Sequence, residues 1–74
     1  MTKGQFCEEL WALLHKTERF EDLVDLKYSD EESGEYVTPY WWDAMNQRTY
    51  AGRRINVTAD SETAIIKDVL NGIE

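Results

Sequence analysis

The side chains with the most chemical reach lie in YVTPYWWDAMNQRTYAGRRINV, residues 36–57, where two adjacent tryptophans, three tyrosines and three arginines interrupt an otherwise acidic chain. Aromatic rings beside guanidinium groups suit two kinds of contact. They make up the energetic centres of protein interfaces, and they stack unpaired bases while arginines meet the phosphates. Trp41 and Trp42 are consecutive, so in a strand or a helix they point in different directions. A domain this small cannot fully enclose Trp11, Trp41, Trp42, four tyrosines and two phenylalanines. The expectation is one tryptophan lidding the core and the other partly exposed. The contact surface then centres on Tyr40, Trp41, Trp42 and Tyr50, with Arg48, Arg53 and Arg54 at its rim.

A second concentration of charge precedes it. Residues 18–35 hold eight acids against Arg19 and Lys27, a net of minus six, whereas residues 36–59 hold Asp43 against three arginines, a net of plus two. Asp30, Glu31, Glu32 and Glu35 form an acidic surface able to steer a basic partner, or to imitate the phosphates of nucleic acid in the groove of an enzyme that binds it. The same run fails as a calcium loop. With Ser29 in the first position Gly34 falls sixth, but the twelfth is Tyr40, where a bidentate glutamate is needed. No Cys/His cluster exists to hold zinc, and no cofactor or metal is expected.

Catalytic pairings are also wanting. His15, the single histidine, lies about 80° around a helix from Cys7 and two turns away, too far for a thiolate–imidazole pair. Cys7 reads as a small core residue. The four glycines are scattered at 4, 34, 52 and 72, so no phosphate loop is present. Solvated carboxylates in a turn lack the apolar walls that separate the pKa values of an acid–base pair. The expectation is a protein that is not an enzyme.

These residues need elements to hold them. Phe6, Leu10, Leu13 and then Phe20, with Cys7, Trp11 and Leu14 beside them, recur at three and four residues and predict an amphipathic helix over about 3–16. From Leu23 the period becomes two: Val24, Leu26 and Tyr28 alternate with Asp25 and Lys27. With the SDEESG loop and the extended run from Glu35 to Thr38, this predicts a β-hairpin over 23–38. Arg53 to Thr58 alternates again as a third strand, so Asn56-Val57-Thr58 reads as strand rather than as a glycosylation site. Asp60-Ser61-Glu62 opens a second helix whose apolar stripe is Ala64, Ile65, Ile66, Val69, Leu70 and Ile73, ending near Asn71-Gly72. Between them, Thr38-Pro39 is a helix-start signal, and a short helix near 39–48 is weighed slightly above an extension of the second strand.

The whole is an α+β fold: one domain over 1–74, two layers, helix–three-stranded antiparallel sheet–helix in the order αβββα, both helices on one face. One cysteine allows no internal disulfide, so burial alone must hold a chain whose net stability is at most roughly 4 to 11 kcal/mol. Glu8 and Glu9 break the apolar run near the N-terminus, so it reads as neither signal peptide nor membrane span, and a cytosolic protein is expected. The helix, three strands, helix order is also that of double-stranded-RNA-binding domains. Those set lysines at the start of the second helix, where this chain has Asp60 and Glu62, and a net charge of minus seven disfavours nucleic acid generally. The expected function is a small acidic protein-interaction module, with homodimerisation as one way of covering its aromatic face. Such chains are of a type met among bacterial and mobile-element accessory proteins. The alternatives are a nucleic-acid-mimicking inhibitor and a weak single-strand binder.

Overall fold

The computed structural model describes residues 2–58 and 61–73. The first helix, α1, spans Lys3–His15. It opens on a capping box: Gln5 N–H donates to Thr2 Oγ1 at 3.2 Å and Thr2 N–H donates to Gln5 Oε1 at 2.9 Å. Its inward stripe is Cys7 and Leu10, both buried, with Phe6, Trp11 and Leu14 packed alongside. Leu13, expected on that stripe, is 64% exposed instead. A single 3-10 turn, Glu18–Phe20, then drops Phe20 into the core.

The hairpin is longer and tighter than its sequence suggested. Strand β1 spans Leu23–Glu31 and β2 spans Gly34–Asp43, so the expected SDEESG loop shrinks to the two residues Glu32 and Ser33. Gly34 follows with φ 144°, and a Cβ there would lie 2.8 Å from Thr58 Oγ1, two independent reasons for glycine. The strands pair antiparallel, Lys27 opposite Thr38 and Tyr28 opposite Val37, and the register shifts between Leu23 and Asp25 so that Val24 is a bulge.

The short helix expected near 39–48 does not form. Residues 39–43 continue β2, residues 44–47 turn, and β3 spans Arg48–Ala51, with Trp41 opposite Tyr50 and Trp42 opposite Thr49. Aromatic and β-branched side chains suit this pleated surface, and the ladder to β1 on one side and β3 on the other outweighs the local helix-start signal at Thr38-Pro39. The turn has its own chemistry: Asp43 Oδ1 accepts from the N–H groups of Met45 and Asn46, and Gln47 takes a left-handed φ of 52°.

The expected third strand over 53–58 is also corrected. Only β4, Ile55–Asn56, joins the ladder there, opposite Val37 and Tyr36, while β3 lies further along the same side of β2. Pro39 faces the gap between them. It has no N–H to offer a neighbouring carbonyl, so the outer strand breaks across Gly52, Arg53 and Arg54 after Gly52 N–H has donated to the Pro39 carbonyl at 2.8 Å.

The second helix, α2, spans Glu62–Ile73, passing Gly72 rather than stopping there. Ser61 caps it, its Oγ accepting from Ala64 N–H at 3.1 Å. Asp60, expected in the same cap, lies outside the described residues. Ile65 and Val69 of α2 join Cys7 and Leu10 of α1 and Leu23, Leu26, Val37, Ile55 and Val57 of the sheet side in one core. Two helices on one face of an antiparallel sheet make the small α+β domain that the periodicities imply. Among the described residues no helix is long and apolar enough to cross a membrane.

Candidate functional site

Strand alternation sorts the expected contact residues onto two faces. Val37, Pro39 and Trp41 point to the helices; Tyr36, Thr38, Tyr40 and Trp42 point to the uncovered side. Trp41 is half-buried against the core. Its indole passes so near Gly52 that a Cβ there would sit 3.0 Å from Trp41 Nε1 and 3.1 Å from Pro39 Cγ. Trp42, on the opposite face, is 41% exposed. Its backbone N–H donates to the Asp22 carbonyl at 2.8 Å, anchoring the strand while the ring stands in solvent.

The far end of this hairpin carries apolar surface that the core does not use. All four residues of β3 are exposed, Tyr50 to 48%, and Met45 at the turn to 94%. Tyr50 shares Trp41's face and Trp42 occupies the other, so the hairpin presents a ring on each side. Arg48 closes the turn opposite Asp43. The Asn46 side-chain amide and the two turn amides donate to the Asp43 carboxylate and hold its pKa below the ordinary value.

Arg54 and Lys27 serve the uncovered face. Arg54 lies over the Tyr36 ring, 3.9 Å from its centroid, and its Nη1 donates to both carboxylate oxygens of Glu31 at 3.0 and 3.1 Å. Lys27 Nζ lies 5.2 Å from the centre of the Tyr40 ring. Arg53 is exposed in the break between β3 and β4. The structure therefore brings Tyr40, Trp42 and Arg54 to one face and Trp41 and Tyr50 to the other. Tyr36, Lys27 and Met45 were overlooked in the sequence. Reading 36–43 as a single strand would have put Tyr36 in the row with Tyr40 and Trp42.

Two of the four acids expected at the acidic surface have partners. Glu31 is held by Arg54, and Glu35 Oε1 accepts from Lys3 Nζ at 2.7 Å while its other oxygen accepts from the Tyr28 hydroxyl. Lys3 and then Tyr28, by these hydrogen bonds, hold the Glu35 carboxyl below its usual pKa, and the bond to Glu35 pushes the Tyr28 phenol up to about 12. Lys3 Nζ also donates to the carbonyls of Val57 and Thr58, so this pair ties α1 to the end of the sheet where the start of β2 meets the segment after β4. Asp30 and Glu32 are exposed near the tight turn.

Cys7 and His15 face different neighbours. Cys7 is fully buried, and burial raises its thiol pKa against a smaller opposing pull from Lys3. His15 stacks on Trp11, and its Nδ1 lies 3.0 Å from the Leu23 carbonyl, which also accepts from Trp11 Nε1 at 2.8 Å. A carbonyl only accepts, so His15 carries its proton on Nδ1. Compared with protein families, with curated proteins and with solved structures, the chain matches none.

Proposed function

We propose that this chain is a small protein-interaction module that docks through the hairpin of β2 and β3, with Trp42 and Tyr50 as anchors and Tyr40, Arg48 and Arg53 around them. One observation carries the reading. Trp41 packs against the core, while Trp42, Met45 and Tyr50 remain exposed on the hairpin of β2 and β3, in which β3 is an edge strand with all four residues exposed. Large rings at its end gain little for the fold, and tryptophan, tyrosine and arginine at such a tip have the composition of an interface hot spot.

The nucleic-acid mimic has weaker support, because Glu31 and Glu35 are committed to Arg54 and Lys3. The single-strand reading draws on the row of Tyr36, Tyr40 and Trp42 beside Lys27 and Arg54, but a net charge of minus seven opposes it. No catalytic role is proposed: the buried thiol resists ionisation and the imidazole is bound to a main-chain carbonyl.

The test is capture from an extract of the source cells with the wild-type chain, with Trp42→Ala and Tyr50→Ala, and with the double variant Asp30→Asn, Glu32→Gln. The expected result is a protein partner retained by wild type and by the acid variant and lost by either aromatic variant, with thermal stability intact. Capture that survives the aromatic changes and disappears with the acid variant would replace this reading with the mimic. Tryptophan quenching by a single-stranded oligonucleotide, lost in Trp42→Ala, would replace it with the strand binder.

A further inference from the structure

The outer edge of β1 is the longest unpaired strand edge in the sheet, since among the described residues β1 pairs with β2 alone. Which of its main-chain groups point outward follows from Pro39. The Pro39 carbonyl is turned toward Gly52, so Thr38 and Tyr40 turn toward β1 and pair with Lys27 and Asp25. Leu26, Tyr28 and Asp30, between and beyond those partners, therefore direct their N–H and C=O groups to the free edge.

The chain itself covers the first part of that edge. The Leu23 carbonyl is taken by Trp11 and His15, and the Leu26 N–H donates to Asp25 Oδ1 at 2.8 Å. Beyond them Leu26 and Tyr28 border a cavity of about 300 Å³ between α1 and β1, lined also by Gly4, Glu8, Asp25 and Lys27. Gly4 keeps the helix wall low: a Cβ there would only just touch the Tyr28 ring, at 3.6 Å. Clefts for small molecules start at roughly this size, so the space suits a short extended segment and one long side chain rather than a bulky cofactor.

Two of the three charged residues that line the cavity are acidic. Glu8 supplies a carboxylate from the helix side and Asp25 from the strand side, while the Lys27 ammonium is drawn over the Tyr40 ring toward β2. We propose that this edge is a second binding site, separate from the aromatic hairpin, which takes an extended peptide segment by strand addition and seats a lysine or arginine of that segment between Glu8 and Asp25. Main-chain pairing with Leu26 and Tyr28 supplies affinity, and the two carboxylates select the cation. Asp25 has two roles: it holds the Leu26 amide and thereby stops the added strand at that point, and it faces the incoming charge.

A heptapeptide library displayed on phage, panned against the wild-type chain and against Glu8→Lys, is the test. The peptides recovered by wild type are expected to share one lysine or arginine among β-branched neighbours. A synthetic copy should slow amide exchange at Tyr28, bind roughly tenfold or more weakly to Glu8→Lys, and weaken similarly when its own amides are N-methylated on alternate residues. Trp42→Ala should bind it unchanged, which keeps this site's outcome independent of the hairpin's. The proposal is overturned if no common basic position emerges, if N-methylation has no effect, or if the bound peptide protects residues of β3 instead. It is equally overturned if the free chain sediments as a dimer with the Tyr28 amide already protected, for the edge would then belong to a second copy.

Discussion

Gly72 of α2 lies against Ile55 of β4 so closely that a Cβ on the glycine would sit 2.5 Å from Ile55 Cγ1 and 2.8 Å from its Cδ1. Replacing a helical glycine by alanine ordinarily stabilises by about 1 kcal/mol. Here the sign should reverse. Ile55 is buried, and its nearest atom Cγ1 belongs to the branch at Cβ rather than to a flexible end, so the overpacking cost of about 1 to 3 kcal/mol outweighs the helix gain. Urea unfolding of Gly72→Ala should give a lower midpoint at unchanged slope; a higher midpoint would mean that α2 sits further from the sheet.

The two tryptophans should separate on stability alone. Trp41→Ala removes the half-buried lid beside Pro39 and Gly52 and should destabilise by about 2 to 3 kcal/mol, below the loss typical of a fully buried ring. Trp42→Ala should stay within about 1 kcal/mol of wild type. Equal losses in thermal unfolding would contradict the assignment of their faces.

Stability should decline at both ends of the pH scale through Glu35 and Tyr28. The Glu35 pKa is depressed in the folded chain, chiefly by Lys3, so its contribution is present above the ordinary carboxylate pKa and disappears as pH falls through the depressed value. The Tyr28 pKa is raised from 10.0 to about 12, so its contribution is complete below 10.0 and is lost as pH climbs to about 12. Tyr28→Phe should flatten the alkaline limb in a series of urea titrations, whereas Tyr50→Phe should leave it in place.

The turn after β2 should fail locally when Asp43 is lost. Asp43→Ala leaves the N–H groups of Met45 and Asn46 without their acceptor, and Asp43→Asn keeps an oxygen there. Amide exchange in β3 should accelerate strongly in the alanine variant and less in the asparagine variant, while exchange around Leu26 and Val37 stays slow. Uniform acceleration would show that this hairpin and the core unfold together.

The helices and the first hairpin were legible because each buries one face, and burial imprints a period: Cys7 and Leu10 on α1, Leu26 and Tyr28 on β1, Ile65 and Val69 on α2. The middle resisted reading because two local signals conflicted there. Thr38-Pro39 matches a helix start, yet Pro39 stands opposite a strand break, a relationship visible only once β3 and β4 share a neighbour. Asp43 and Asn46 make a turn, recognisable by an aspartate followed three residues later by an asparagine. For the candidate surface, opposite directions for Trp41 and Trp42 could be deduced from adjacency alone. Which arginine meets which ring could not, because Arg54 reaches Tyr36 only through the pairing of β4 with β2.

The interruption opposite Pro39 also governs how copies of the molecule would stick together if they ever did so edge to edge. One border of the sheet is long, and the other is cut into lengths of four and two residues. Growth by strand stacking needs two usable borders on every unit, as an amyloid fibre has. A unit with only one ends the chain it joins, so accidental association should stop at pairs, and concentrated solutions should stay clear instead of filling with fibres.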